Sequence, residues 1–364
     1  MLKSMVVGWG GRAEALEAAL RHSPLVSSVL VADDPGNNRQ LIELAKKHGV
    51  SFVVIGPEEP LVRGVVDDFA SALPAVKVFG PTRLAAELEG SKIYMKTRCE
   101  RFGIPTARFD FAGSYQVAER SIRKNGWRVI KVDGLHGGKG VEVVDTEEAA
   151  LEAAAKILAT EKRVLLEEKL VGEELSVMAL CDGKNAVLLE PARDQKRLSA
   201  GTDVMTGGMG AFSPVPGVTT EMLLQIEIEI IYPLLQGMAR EKRSYHGVLY
   251  AGIMLTQDGP KLLEVNCRFG DPEAQVVLAR LDCDLVPSLL ACLTSGGLEE
   301  EELPRWKSSA AVCFYGVSKG YPATGHREIS ILGEGQTLAA AREDGLRQLK
   351  MHHQVFREDI AAGL

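Results

Sequence analysis

None of the six cysteines, Cys99, Cys181, Cys267, Cys283, Cys292 and Cys313, forms a C-x-x-C pair or shows zinc-ligand spacing. This argues against a thioredoxin-like motif and a zinc finger, and reduced, mostly buried thiols in a cytoplasmic protein are the expectation. Nor is any apolar run long enough to span a bilayer. The opening MLKSMVVGWGG lacks the basic region and long apolar stretch of a signal peptide. Positive charge is not in excess. The net charge is −7, which argues against a broad nucleic-acid footprint, so an anionic ligand would be held by local lysines, arginines and helix N-termini. Internal repeats and low-complexity linkers are missing too. So is the P-loop, whose G-x-x-x-x-G-K must be followed by Ser or Thr and a helix.

That last absence matters because glycines gather in one place. Residues 129–141 read VIKVDGLHGGKGV: a β-branched run carrying Lys131, a loop from Gly134 to Gly140 with Lys139, then a second β-branched run. Glycines at this density suit backbone N–H groups turned toward an anion. The device reads as strand, loop, strand, and a nucleotide phosphate is the obvious ligand.

The chain's 364 residues, 46% of them apolar, suffice for two or three domains with a large core. Residues 1–100 alternate strands with amphipathic helices, which predicts a small parallel-sheet α/β domain. In it, PLVRGVVDDFASAL reads as one helix. Residues 101–307 read as an α+β domain with a lid at about 120–190 and a helix at 146–160. A long helix is expected over TTEMLLQIEIEIIYPLLQGMAREK, then two strands joined at QDG, a hairpin signal. Residues 308–364 supply strands and a helix for a small final β-rich domain.

Several stretches carry candidate chemistry. VVGWGGRAEA resembles a dinucleotide fingerprint with Asp33 and Asp34 ending the next strand, which would suit an NAD oxidoreductase; a tight turn without ligand is the alternative. In LEGSK, Ser91 and Lys92 could meet a phosphate at a helix N-terminus or simply cap it. The acids of LLEEKLVGEE could bond an adenine amino group and a ribose hydroxyl, or be surface acids. In LLEVNCRFGDPE, Glu264 and Asn266 lie two apart on a strand and face one side. Two hard oxygen ligands there suit Mg²⁺, which borrows further oxygens from phosphates. Arg268, Asp271 and Glu273 follow. TGGMGAFSP is a second flexible loop that could pack near a substrate, and ARDQKR places Asp194, Lys196 and Arg197 just before it.

The order of these pieces resembles the ATP-grasp fold, in which two α+β subdomains close on ATP and the glycine loop joins two antiparallel strands. GGR, PGN, GPEEPLV, FGPT, LEGSK, IPTA, KVDGLHGGKGV, EEKLVGEE, TGGMGAFSP, YAGIM, EVNCRFGDPE and KGYP extend the resemblance, from residue 6 onward, to the phosphoribosylamine–glycine ligase family. It implies an α/β and α+β multidomain protein: an N-terminal parallel-sheet domain, an ATP-grasp domain with a lid and a short C-terminal β-rich domain. It implies an ATP-dependent ligase joining glycine to 5-phosphoribosylamine in purine synthesis, with Mg²⁺ or Mn²⁺, no nucleic-acid or membrane partner, and a monomer or weak dimer.

By position, the resemblance implies that Lys92 and Lys131 contact ATP phosphates, with Gly134, Gly137, Gly138, Lys139 and Gly140 closing over them. Glu167, Glu168 and the backbone at Leu170 would read adenine, and Glu174 the ribose. Glu264 and Asn266 would hold the metal, and Arg268 would steady the transferred phosphoryl group, with Lys131 beside it. Gly10, Gly11, Arg12, Asn37 and Glu58 would face the phosphoribosyl group; Asp194, Lys196, Gly207, Gly208 and Asp271 complete the substrate set. The chain departs from the usual pattern after GGR, where Ala13, Glu14 and Ala15 replace Glu-His-Ala, and in the glycine loop, where His136 and Gly137 replace two alanines. A carboxylate–amine ligase with another amine or acid, and a nucleotide-binding protein without ligase activity, are the alternative readings; the NAD reading leaves Lys131, its loop and EVNCRFGDPE unexplained.

Overall fold

The computed structural model describes residues 1–364 apart from Pro35, Gly138, Lys139, Ala200, Asp203 and His353. The glycine-loop expectations for Gly138 and Lys139 therefore lie outside the described residues.

The two inner N-terminal strands, Leu2–Val7 and Phe52–Ile55, are short, apolar and largely buried, as strands covered on both faces must be, while the edge strand Val26–Ala32 is partly exposed. Leu2–Val7 pairs in parallel with Val26–Ala32 on one side and Phe52–Ile55 on the other, and Lys77–Phe79 continues the sheet. Strand order thus reverses around Leu2–Val7. The crevice at the carboxyl ends of Leu2–Val7 and Phe52–Ile55 is where open α/β sheets bind ligands. The turn carrying Gly10 and Arg12 and the segment starting at Glu58 both emerge there.

The single helix expected over residues 60–73 is instead two, Glu58–Arg63 and Val65–Ala72. Gly64 separates them with φ of +90°, a left-handed conformation that glycine adopts without a Cβ clash.

The lid is an antiparallel sheet of Phe109–Ala112, Val164–Glu167, Val129–Val132 and Val141–Val143, in that spatial order. Helices Tyr115–Asn125 and Glu147–Leu158 cover it. Ala118, Ile122, Trp127, Ile130, Ala153, Ala154 and Leu166 form a core of the lid's own, which makes it a packing unit in its own right.

Opposite lies a second antiparallel sheet, ordered Ala186–Leu188, Glu173–Asp182, His246–Thr256, Gly259–Asn266. The last two form the expected hairpin, with Thr256 paired to Gly259. The long helix begins as Thr220–Ile226, widens through a π-helical turn at Glu227–Ile231 and ends as Tyr232–Arg240. Pro233 has no N–H to give the helical ladder, a common cause of such local irregularity.

The tail pairs Arg327–Gly335 and Val355–Phe356 with its own Ala310–Val317, in a sheet it shares with the body. Its strand Ala310–Val317 pairs with Arg327–Gly335 on one side and, on the other, with Gly210–Ser213, which in turn pairs with Arg193–Asp194. Residues after 310 are thereby brought to the loops at 194–209. Among the described residues, no helix is long and apolar enough to cross a membrane.

Candidate active site

The helix Lys92–Phe102 begins at the seam between lid and body. Ser91 caps it by accepting from the Tyr94 N–H at 3.1 Å. The Asp133 carboxylate, at the start of the glycine loop, accepts from the Ser91 hydroxyl at 2.9 Å and the Ile93 N–H at 3.2 Å. Lys92 Nζ donates to the Gly134 carbonyl at 2.6 Å. The helix N-terminus, Lys92 and the loop therefore meet, a geometry suited to a phosphate. Burial lowers the Lys92 ammonium pKa, with Glu264 opposing it.

Lys131 and Glu167 lie on adjacent lid strands, and their side chains meet at 2.8 Å. Lys96, about one turn into the helix, approaches the other Glu167 oxygen at 3.1 Å. The Glu168 carboxylate faces Arg108, accepting from its backbone N–H and its Nε at 2.8 and 2.6 Å. Leu170 follows the last lid strand, and Glu174 sits on the opposing sheet, 3.5 Å from Lys196.

On that sheet, Glu264 and Asn266 pair with Gly252 and Tyr250, alternate positions that put both on one face. A Cβ on Gly252 would crowd the Glu264 side chain, so the glycine makes room for it. Lys196 Nζ donates to Glu264 Oε1 at 3.2 Å. Lys196 is the main cause, with Lys131 and Lys92 adding, that holds the Glu264 carboxyl down at about 2 against the effect of burial. Among the described residues, no group of three or more His, Cys, Asp or Glu side chains could hold a metal alone. One ionised carboxylate and one amide oxygen do suit a hard cation that shares phosphate oxygens.

Arg268 is the hub between this strand end and the first sheet. Its Nε donates to Glu58 at 2.9 Å, and Nη2 donates to Asn266 Oδ1 at 3.2 Å and lies 3.5 Å from Glu89. Arg12 Nη1 reaches the Phe269 carbonyl at 3.1 Å. Burial pushes the Glu58 carboxyl up, but Arg268 and Arg12 outweigh it and hold it at about 2. Glu89, which accepts from the Cys267 N–H at 2.6 Å, is pushed up to about 7 by burial, with Arg268 pulling the other way. A folded-state pKa above the ordinary 4.5 means that folding favours the proton. Glu89's contribution to stability is thus full below pH 4.5 and is lost as the pH rises through 7. Glu89→Gln should therefore gain about 2 kcal/mol on the parent between pH 5 and 8, read as a difference in urea midpoints. Parallel pH curves for the two proteins would contradict this.

The third cluster joins the tail to the body. Asp271 accepts from Gln275 at 2.8 Å, from the Tyr315 hydroxyl at 2.7 Å and from Arg327 at 2.8 Å. Arg327 also donates to the Gly207 and Asp271 carbonyls and lies 4.2 Å from the Tyr315 ring centre. The Gly207 N–H donates to the Tyr321 hydroxyl at 3.2 Å. Asp194 faces Gly208, where a Cβ would strike it. Burial first, then Glu273, raises the Asp194 carboxyl pKa. Asn37 caps the helix Asn38–His48, accepting from the Arg39 N–H at 2.9 Å.

Two family descriptions match the chain: "Phosphoribosylglycinamide synthetase, N domain" over residues 2–89 and "Phosphoribosylglycinamide synthetase, ATP-grasp (A) domain" over 90–274. A phosphoribosylamine–glycine ligase of Rhodopirellula baltica is 40% identical over 90% of this chain and 81% of its own. The chain belongs to the phosphoribosylamine–glycine ligase family. Its fold matches the solved phosphoribosylamine–glycine ligase of Thermotoga maritima with a TM-score of 0.85, 29% identity, and 99% and 100% of the two chains covered. The biotin carboxylase domain of Hydrogenobacter thermophilus 2-oxoglutarate carboxylase, solved with MgADP, shares the fold alone: TM-score 0.67, 16% identity, 98% and 91% covered.

Placed in this family, the chain also shows site neighbours that the sequence did not single out, two of them, Glu89 and Tyr321, within the motifs LEGSK and KGYP. Lys96 and Glu89 sit in helices whose local pattern gives no sign of a buried charge, and Arg327, Tyr315 and Tyr321 come from the tail. Gly11 is a related case: a Cβ there would collide with Ser330 and Gln275. Gly11→Val should force the tail sheet away from the first helix and cost about 1–3 kcal/mol of unfolding free energy. Denaturant unfolding at the parent's midpoint would refute that contact.

Proposed function

We propose that this protein joins glycine to 5-phosphoribosylamine, giving glycinamide ribonucleotide, ADP and phosphate through a glycyl phosphate intermediate in purine biosynthesis. The carrying observation is one continuous charged seam: Lys92 and Lys131 at the glycine loop, Glu264 and Asn266 opposite, and Arg268 leading on to Glu58 and Arg12 at the switch point of the first sheet.

Phosphoryl transfer of this kind needs positioning and charge neutralisation more than covalent help. Lys92, Lys131 and the loop N–H groups bind the ATP phosphates and offset charge as the glycine carboxylate oxygen attacks the γ-phosphorus. Glu167, Glu168, the Leu170 backbone and Glu174 frame the adenosine. Glu264 and Asn266 would hold Mg²⁺ or Mn²⁺, which would supply further charge neutralisation for the phosphates. Arg268 balances the transferred phosphoryl group and then the acyl phosphate. The lid keeps that intermediate from water. The amine, held by Gly10, Gly11, Arg12, Asn37 and Glu58 through its phosphoribosyl group, attacks the acyl carbon and phosphate leaves. Asp194, Lys196, Gly207, Gly208 and Asp271 line the glycine side. No cysteine is needed: burial pushes the Cys99 thiol up to about 12 and raises the Cys267 thiol as well, so both stay protonated. A cytoplasmic monomer or weak dimer fits this reading.

The altered run Ala13, Glu14, Ala15 beside Arg12 favours a second reading, a ligase of the same chemistry with another amine. ADP release with ATP, Mg²⁺, glycine and freshly generated phosphoribosylamine, each omitted in turn, separates the two. Release that needs both substrates and yields glycinamide ribonucleotide supports the first. ATP binding without release supports the second, and a screen of amines follows.

A further inference from the structure

We propose that Lys96 is a positioning residue for the nucleotide site, fixing Lys131 through Glu167; this rests on the reading of Lys131 as a phosphate contact. Lys96 belongs to helix Lys92–Phe102, the helix that presents Lys92 to the glycine loop. Its side chain is 0% exposed, so it cannot touch a nucleotide itself. Nζ lies 3.1 Å from Glu167 Oε1 and donates to the Thr106 hydroxyl at 2.6 Å. That hydroxyl donates at 2.5 Å to the carbonyl of Leu262, on the strand that carries Glu264 and Asn266. On the far side, Glu167 Oε2 meets Lys131 Nζ at 2.8 Å. A continuous polar path thus runs from the Glu264 strand, through Lys96, to the lid strand bearing Lys131.

The charges explain why a second lysine is useful. A lone Glu167–Lys131 pair would be neutral and would spend the Lys131 charge internally. With Lys96 near the other carboxylate oxygen, the trio keeps one net positive charge, and of its three members Lys131 is the least buried, at 9% side-chain exposure. Burying an ammonium is costly, and a buried ion pair can often be replaced by apolar side chains without loss of stability. Burial indeed lowers the Lys96 pKa, and Glu167 restores part of it. A lysine in this position is therefore poorly explained by stability alone.

The test compares Lys96→Met, Lys96→Arg and Lys131→Met in the full chain, reading kcat, separate KM values for ATP and glycine, and ADP affinity by calorimetry. Lys96→Met should raise the ATP KM and the ADP Kd about tenfold or more, the scale of one lost charge-assisted bond, while the glycine KM stays put. Lys96→Arg should restore most of the affinity. Parent-like ATP affinity in Lys96→Met, alongside weakened binding in Lys131→Met, would overturn the positioning role alone. Silence in Lys131→Met would instead sink the nucleotide reading on which the proposal rests. Should Lys96→Met not fold, Lys96→Met/Glu167→Gln, which removes both charges, is compared with Glu167→Gln. Equal ATP affinity supports action through Glu167, and a further loss overturns it.

Discussion

Glu264→Ala should abolish metal-dependent turnover, lowering kcat by about a thousandfold or more, while the protein stays folded. The size follows from the task assigned to the residue: a lost metal ligand forfeits several kcal/mol of charge stabilisation in the transition state. The fold should survive because the Glu264 side chain is 34% exposed and Lys196 keeps a second partner in Glu174. Glu264→Asp, with its carboxylate drawn back by one methylene, should fall between and show a raised Mg²⁺ requirement. Because Lys196 holds the Glu264 carboxyl at about 2, any activity lost on mild acidification belongs to another group. Its stabilising share is present above pH 4.5 and fades only as the pH falls toward 2. The check is kcat at saturating Mg²⁺ and at saturating Mn²⁺, beside a circular dichroism melt. Full activity in the alanine variant would remove Glu264 from the metal site.

What could be read in advance was what is local. Strand periodicity put Glu264 and Asn266 on one face, and the glycine loop announced itself between two β-branched runs. The break at Gly64 was hidden because Leu61, Val65 and Phe69, all buried, continue a helical spacing straight through it. Asp34, which the fingerprint offered as a ribose acid, is held by Arg63 at 2.7 Å. The resemblance assigns Glu168 to adenine, yet nothing in its neighbourhood in sequence announces its partner Arg108. Non-local contacts were out of reach for the same reason. The pairing of Ala310–Val317 with Gly210–Ser213 leaves no trace in either segment alone. It is this pairing that delivers Arg327 to Asp271. Nothing local marks Lys96, because its partners are a lid strand's Glu167 and Thr106.

Arg268→Met is the other large effect, and it separates chemistry from architecture. The guanidinium serves two carboxylates, Glu58 and Glu89, and the amide of Asn266. Its removal should lower kcat by about a hundredfold or more, the scale seen when one transition-state donor is lost, with the ATP KM little changed. It should also cost about 3–5 kcal/mol of stability, because two buried acids lose their cation. Those effects are confounded in the methionine variant, so Arg268→Lys is the informative partner. A lysine preserves the charge that Glu58 and Glu89 need, but it cannot reach both acids and a phosphoryl oxygen with one planar fork. The melting temperature should then recover while kcat stays low, and added guanidinium ion should raise the rate of Arg268→Ala. If Arg268→Lys regained both stability and rate, the arginine would be a structural tie between the two domains, and the charge on the migrating phosphoryl group would have to be met by Lys92, Lys131 and the metal held at Glu264 and Asn266.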